Sequence, residues 1–238
     1  MKFIAVIPAR FASVRFPGKP LATLKGKPII QLVYEQVTGS GLFDNVIIAT
    51  DDERIAEAVR NFGGSYQMTS PHHPSGSDRI TEVVRDLDCD VVFNVQGDEP
   101  LIQKEPLALL KDAFNDKEVQ VASLMTTITD EAELNNPNIV KIVTGSKSDA
   151  LYFSRSPIPC NRDRIQDVEY YRHIGVYAYR KQTLLDFVKL PQSSLELTEK
   201  LEQLRLLENG IPIRMIKTSY QGIGIDTPED LDKVILLI

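Results

Sequence analysis

Acidic residues are missing from the first 34 positions of this chain, which hold six Lys or Arg, although the 238 residues together carry a net charge of -6. The overall acidic balance excludes a general nucleic-acid binder, because such proteins present a broad basic surface to many phosphates. The local excess of cations still calls for a small anionic partner. Cysteine is scarce as well. Cys89 and Cys160 are too few for a disulfide framework or a Cys-rich zinc site, and they read as reduced intracellular thiols. No apolar run approaches the ~20 residues of a membrane span, and the run in the opening "MKFIAVIPARF" is shorter than a secretory core. The expectation is a cytoplasmic protein without a membrane partner. Histidines are few: His72 and His73 share a Pro-flanked loop and His173 stands alone, so their spacing makes no metal site. Neither cysteine has a paired base within sequence reach, which gives a thiol nucleophile little support.

What is present is an alternation. Short apolar, β-branched runs, "FIAVI" at 3–7, "NVIIAT" at 45–50 and "DVVFNV" at 90–95, are separated by "PIIQLVYEQVTGSG", "DDERIAEAVRNFGG" and "SDRITEVVRDL", whose apolar residues recur at helical spacing. Runs that are apolar throughout suit strands buried on both faces, so the pattern predicts an α/β protein with an open, mostly parallel sheet flanked by helices. Ligands of such sheets bind beyond the carboxyl ends of the strands. The stretch "IPARFASVRFPGKPL" and "QGDEP" both fall there.

From about Val119 the pattern changes to successive strands, "VQVASLMTTI", "NIVKIVTG" and "RHIGVYAY", followed by "SSLELTEKLEQLRLLENG". The last segment reads as one helix with a capping box at Ser193 and Glu196, a stripe of Leu197, Leu201 and Leu204, and Gly210 as its stop. The organisation expected is one domain over 1–238. Residues of about 1–118 and 211–238 form a core, and about 119–210 form a smaller inserted lobe. No Gly- or Ser-rich linker parts them, so they are expected to share one core.

Three motifs carry candidate chemistry. The loop from Pro8 to Pro20 combines Gly18 with Arg10, Arg15 and Lys19, which reads as a phosphate cradle or, more plainly, as a solvated basic loop. It lacks the Gly-Lys-Ser/Thr of a Walker loop and the three spaced glycines of a dinucleotide fingerprint. "NVQGDEP" puts Asp98 at a strand's carboxyl end, with Gly97 removing bulk beside it, as a magnesium ligand or a turn acid. "GIGIDTPEDL" follows an apolar strand end with Asp226. Thr227, Pro228 and Asp230 are explained as a helix start, and Asp226 is not, which leaves it as a second metal ligand. Thr50, Asp51 and Asp52 are explained by helix capping. In the second half Arg155, Arg162, Arg164, Arg172 and His173 form a basic set suited to a carboxylate, or a solvated surface. Two anion sites and one pair of carboxylates fit transfer between two anionic substrates.

In this order and across nearly the whole chain, "IPARFASVRFPGKPL", "SGSDR", "NVQGDEP", "ALYFSRSPIP", "RHIGVYAYR", "LEQLRLLENG" and "GIDTPEDL" resemble the 3-deoxy-manno-octulosonate cytidylyltransferases, or CMP-Kdo synthetases. The opening motif is shared with CMP-sialic acid synthetases; "YFSRSPIP", "RHIGVYAYR" and "LEQLRLLENG" resemble the Kdo branch. The resemblance implies a Rossmann-like nucleotidyltransferase fold whose smaller lobe serves sugar binding and dimerisation. It also implies a homodimer and the reaction of CTP with Kdo to give CMP-Kdo and pyrophosphate for lipopolysaccharide synthesis. Carried over by motif, Ala9, Arg10 and Lys19 hold CTP, with Ser75, Gly76, Arg79 and Gln96 near the cytidine. Asp98 and Asp226 bind Mg2+, and Arg10, Lys19, Asp98 and Asp226 form the catalytic set. Arg155, Arg162, Arg172, His173, Tyr177, Glu202 and Gln203 line the sugar-acid site. Two alternatives stand beside this reading: a cytidylyltransferase for 8-amino-Kdo or sialic acid, and a nucleotide-binding regulatory protein without turnover.

Overall fold

Phe3 to Ile7 are all buried, and Ala5, Val6 and Ile7 lose all contact with solvent, because their strand has a neighbour on each side and helices on its faces. Burying a side chain of the size of Val6 or Ile7 contributes about 1.5–3 kcal/mol, and Ala5 less, which makes this strand a natural centre for its unit. The computed structural model describes residues 1–12 and 16–236; Arg15 and the last two residues of "GIGIDTPEDLDKVILLI" lie outside them. The chain divides into two compact units, Met1–Ala108 with Gly222–Ile238, and Leu109–Gln221.

The first unit runs β1 (Phe3–Ala9), a 3-10 turn at Lys19–Leu21, the ribbon β2 (Thr23–Leu24) and β3 (Lys27–Pro28), then α1 (Ile29–Gly39), β4 (Asn45–Thr50), α2 (Glu53–Asn61), β5 (Tyr66–Met68), α3 (Gly76–Val84) and β6 (Val91–Asn94). Strands β6, β1, β4 and β5 lie side by side in that order, all parallel, with Ile4 opposite Asn45 and Val92. This is the alternating α/β arrangement expected from the apolar runs. The short β5 gave no apolar run and was not anticipated. Helix α4 (Lys104–Ala113) carries the chain onward.

In the second unit β7 (Val121–Ile128) is followed by α5 (Glu131–Asn135), β8 (Lys141–Thr144), β9 (Ala150–Ser154) and β10 (Tyr170–Arg180). Then come α6 (Lys181–Phe187), α7 (Ser194–Glu199), α8 (Leu204–Glu208) and β11 (Ile213–Lys217). The strand order is β11, β7, β10, β8, β9, with β10 antiparallel to β7 and β8 and β11 parallel to β7. Strands β9 and β11 are additions to the three read from sequence.

The single helix expected over "SSLELTEKLEQLRLLENG" is two helices. Lys200 takes a left-handed φ of 56° and breaks it, so Leu201 and Leu204 turn inward while Leu197 stays exposed. Glu196 does accept a hydrogen bond from the Ser193 backbone N–H, as the capping box requires, at 3.1 Å. Its carboxylate also takes two bonds from the Arg205 guanidinium, at 2.8 and 2.6 Å, in a pair almost wholly removed from water. The chain re-enters the first unit through residues 222–226 and ends in α9 (Pro228–Ile235). No strand forms at "GIGI", contrary to expectation; that segment is instead tied down by the Ile225 N–H, which donates to the Asp98 carbonyl at 2.9 Å. Among the described residues no helix is long and apolar enough to cross a membrane.

Candidate active site

Strand β1 ends at Ala9 and delivers Arg10 into an open pocket of about 250 Å³ beyond the carboxyl end of the sheet, lined also by Pro8, Lys19, Gln96, Gly97 and Asp98. The chain returns to this pocket because Gly18, at φ 73°, turns left-handed and starts the 3-10 turn that carries Lys19. A side chain there would be strained. On the opposite wall the chain leaving β6 stays in register with β1 as far as Val95, whose N–H donates to the Val6 carbonyl at 3.1 Å. Gly97 then passes so close to β1 that a Cβ on it would lie 2.9 Å from the Pro8 carbonyl oxygen. The requirement for glycine beside Asp98 is therefore one of backbone contact.

Lys19 occupies the centre of the polar end. Its Nζ donates to Asp98 Oδ2 at 2.5 Å and reaches Asp226 Oδ1 at 3.4 Å, with Asp226 the most exposed of the three. Asp226 is not part of the cap that follows. Thr227 caps α9 with Asp230 as its reciprocal partner, and Asp230 also accepts from the Asp226 N–H. The structure thus brings Lys19, Asp98 and Asp226 together from three distant parts of the sequence. Arg10 is half-buried at the pocket wall, and among the described residues no carboxylate pairs with it. Gln96 donates to Asn94 at 3.2 Å on the same side.

The "SGSDR" segment forms the start of α3. Ser75 is its N-cap, accepting from the Asp78 N–H, and Gly76 packs beside Pro8. Arg79 is fully buried one turn on, where its Nη2 donates to Asp51 at 2.8 Å and its Nη1 to the Thr69 hydroxyl, while Nε finds no partner. Asp51 was read as a capping residue with Asp52. Only Asp52 caps α2, and Asp51 holds the Arg79 charge. Its place at the carboxyl end of β4 was the available signal.

The second unit carries the remaining candidates. His173 and Tyr177 lie on β10 with ring centroids 5.2 Å apart, and Phe153 meets the imidazole edge-on at 5.1 Å. Burial alone holds the His173 pKa down at about 3, and burial also pushes the Tyr177 phenol well above its ordinary range. Arg172 is paired with Glu133 at 3.2 Å. The Arg155 guanidinium is taken up by backbone carbonyls, those of Pro137, Glu199 and Lys200, so its observed work is to tie two loops together. The Arg155 carbonyl in turn accepts from Lys141, a fully buried ammonium that also bonds the Asn136 and Ile139 carbonyls. Burial lowers the Lys141 pKa. Glu202 lies 3.6 Å from Arg205, Gln203 is buried at the start of α8, and Arg162 is exposed in the loop after β9. Ser123, Glu133 and Lys141 were not singled out from sequence, since their roles arise from pairing across strands and loops that no local pattern reports.

A family model described as cytidylyltransferase matches residues 4–217. Among curated proteins, a 3-deoxy-manno-octulosonate cytidylyltransferase of Geobacter metallireducens is 50% identical, the match covering 99% of this chain and 97% of that one. The enzyme of the same name from Flavobacterium johnsoniae is 52% identical over 98% of this chain and 97% of its own. A solved structure of CMP:2-keto-3-deoxy-manno-octonic acid synthetase complexed with CTP superposes with a TM-score of 0.95 at 44% identity, covering 100% of this chain and 98% of that one.

Proposed function

Because this chain belongs to the cytidylyltransferase family, we propose that it transfers CMP from CTP to 3-deoxy-D-manno-octulosonate (Kdo), with release of pyrophosphate. The product is an activated sugar acid for lipopolysaccharide synthesis. The observation that carries the reading is the Lys19, Asp98 and Asp226 cluster at the mouth of a pocket walled by Arg10, which combines cations for phosphates with carboxylates for a counter-cation.

In this account the anomeric hydroxyl of Kdo forms a new O–P bond to the α-phosphorus as the bond to the pyrophosphate oxygen breaks, and the hydroxyl proton leaves to solvent. Such displacements depend mainly on alignment and on neutralising phosphate charge. Arg10 and Lys19 supply that charge, with Ala9 at the strand end and Ser75, Gly76, Arg79 and Gln96 serving the nucleotide. Arg79 acts from within the fold by holding Asp51 and Thr69, and Gly97 keeps Asp98 close against β1.

The chemistry of the donor set fits Mg2+. Asp98 and Asp226 converge on one cation, the Lys19 ammonium, and Mg2+ is commonly held by one or two carboxylates with water and phosphate completing its shell. Among the described residues no cluster of three His, Cys, Asp or Glu forms a closed metal cage. When bound by Asp98 and Asp226, the ion would polarise phosphoryl oxygens and offset their charge.

In the second unit Arg155, Arg162, Arg172, His173, Tyr177, Glu202 and Gln203 serve the sugar acid, Arg155 also holding the loops beside them through the Pro137, Glu199 and Lys200 carbonyls. A homodimer acting in the cytoplasm, where CTP is made, completes the proposal; the support for the dimer is the sequence resemblance. The test is 31P NMR of the protein with CTP, Mg2+ and Kdo. Equal amounts of pyrophosphate and a CMP diester are expected. Inorganic phosphate with CDP, or unchanged CTP, would overturn the reading.

A further inference from the structure

The Ser123 hydroxyl sits at a point where three polar groups converge. Its Oγ lies 2.9 Å from His173 Nε2, 2.9 Å from the Val176 carbonyl oxygen and 3.3 Å from that of Ile174. Those carbonyls face it because β10 bulges there: the register against β7 slips between Ile174 and Tyr177, with Tyr177 opposite Ser123. Ser123 itself is fully buried.

The protons follow by elimination. A serine hydroxyl has one hydrogen, and carbonyl oxygens only accept. The hydrogen therefore goes to Val176, and the Oγ lone pairs face the imidazole. Nε2 must then be the donor. Since burial keeps the ring neutral at ordinary pH, Nδ1 carries no proton and is an acceptor. Among the described residues burial is the one cause acting on this ring's pKa, and it favours the neutral form. Phe153 and Tyr177 pack against the imidazole and fix its plane.

We propose that Ser123 is a positioning residue for the acceptor substrate: it holds His173 as the Nε2–H tautomer, so that Nδ1 accepts a hydrogen bond from a hydroxyl of the sugar acid. The proposal rests on the reading of His173 as a sugar-acid residue. It assigns that residue a hydroxyl, since an unprotonated Nδ1 would repel a carboxylate oxygen, and leaves the carboxylate to the arginines. The ring orients the hydroxyl and does not take its proton.

The experiment begins with 15N NMR of the histidine-labelled wild-type protein at neutral pH, where only three histidines contribute. The His173 signals, assigned by their loss in His173→Leu, are expected to show a protonated Nε2 and a pyridine-like Nδ1. In Ser123→Ala the two tautomers should mix, and kcat/KM for Kdo should fall about tenfold while KM for CTP holds. Ser123→Thr keeps the hydroxyl and should restore both. A protonated Nδ1 in the wild type overturns the proposal without use of any variant, as does equal loss for CTP and Kdo in Ser123→Ala. If the tautomer is as stated but His173→Leu leaves the KM for Kdo unchanged, the sugar-acid assignment of His173 has failed, and the proposal with it.

Discussion

Lys19 Nζ and Asp98 Oδ2 are 2.5 Å apart although 79 positions separate them in the chain, and the same ammonium reaches Asp226. An internal cation thus occupies the meeting point of two carboxylates. Removing it should leave those acids facing one another and eager for a metal. In Lys19→Met the nucleotide-free protein is expected to bind Mn2+ several-fold more tightly than wild type, measured by EPR. The variant's kcat/KM for CTP should fall by about 100-fold or more for want of phosphate neutralisation. Weaker Mn2+ binding would contradict the shared position.

Asp98→Asn keeps the shape of the side chain and removes its charge. Turnover should drop by about 1,000-fold with the unfolding midpoint nearly unchanged. Near-normal rates at saturating Mg2+ would remove Asp98 from the metal-holding role.

Gly97→Ala should be costly for a different reason. The new Cβ would lie 2.9 Å from a backbone carbonyl that cannot rotate away, so β1 and the Asp98 loop must part. The expected loss is about 1–3 kcal/mol of stability, with a larger fall in activity. Gly39→Ala, at the end of α1 with open space around it, serves as the control and should lower neither, with stability unchanged or raised by up to about 1 kcal/mol. Equal behaviour of the two variants in urea titrations would disprove the close approach.

The Glu196 and Arg205 pair is buried, so cutting it one-sidedly leaves the guanidinium with a longer, 3.6 Å contact to Glu202 in place of its two close bonds. Glu196→Ala should destabilise by about 3–5 kcal/mol, whereas the double replacement Glu196→Met with Arg205→Met should recover most of that loss. Denaturant unfolding distinguishes the two. A single variant as stable as wild type would show that the pair is not desolvated.

His173 gives a pH signature. Its folded pKa of about 3 lies below the ordinary 6.5, so below pH 6.5 the unfolded chain binds a proton that the folded chain refuses. Stability from this group is complete above that value and is lost as pH falls toward 3. His173→Leu should flatten the decline of unfolding free energy between pH 6.5 and 4. An unaltered slope would contradict the burial of a neutral ring.

Much of the first unit was legible because its determinants are local. The runs at β1, β4 and β6 are apolar for want of any wet face, and Thr227 with Asp230 announces a helix start within four residues. Asp226 stood out once the cap explained its neighbours. The second unit was less legible. Lys200 turns left-handed without being Gly or Asn, so no breaker marked the split between α7 and α8. The hold of Asp51 on Arg79, and of Ser123 on His173, depends on contacts across elements. For Arg155 the charge was visible in the sequence, and the backbone carbonyls that hold its guanidinium were not.

The measurement closest to the central claim is pyrophosphate release with CTP and Mg2+, comparing Kdo, 8-amino-Kdo and sialic acid as acceptors, with UTP as the nucleotide control. The account predicts release with CTP and Kdo together, and little with UTP or with sialic acid. Tight CTP binding with no release for any acceptor would contradict it and leave a nucleotide-binding protein without turnover.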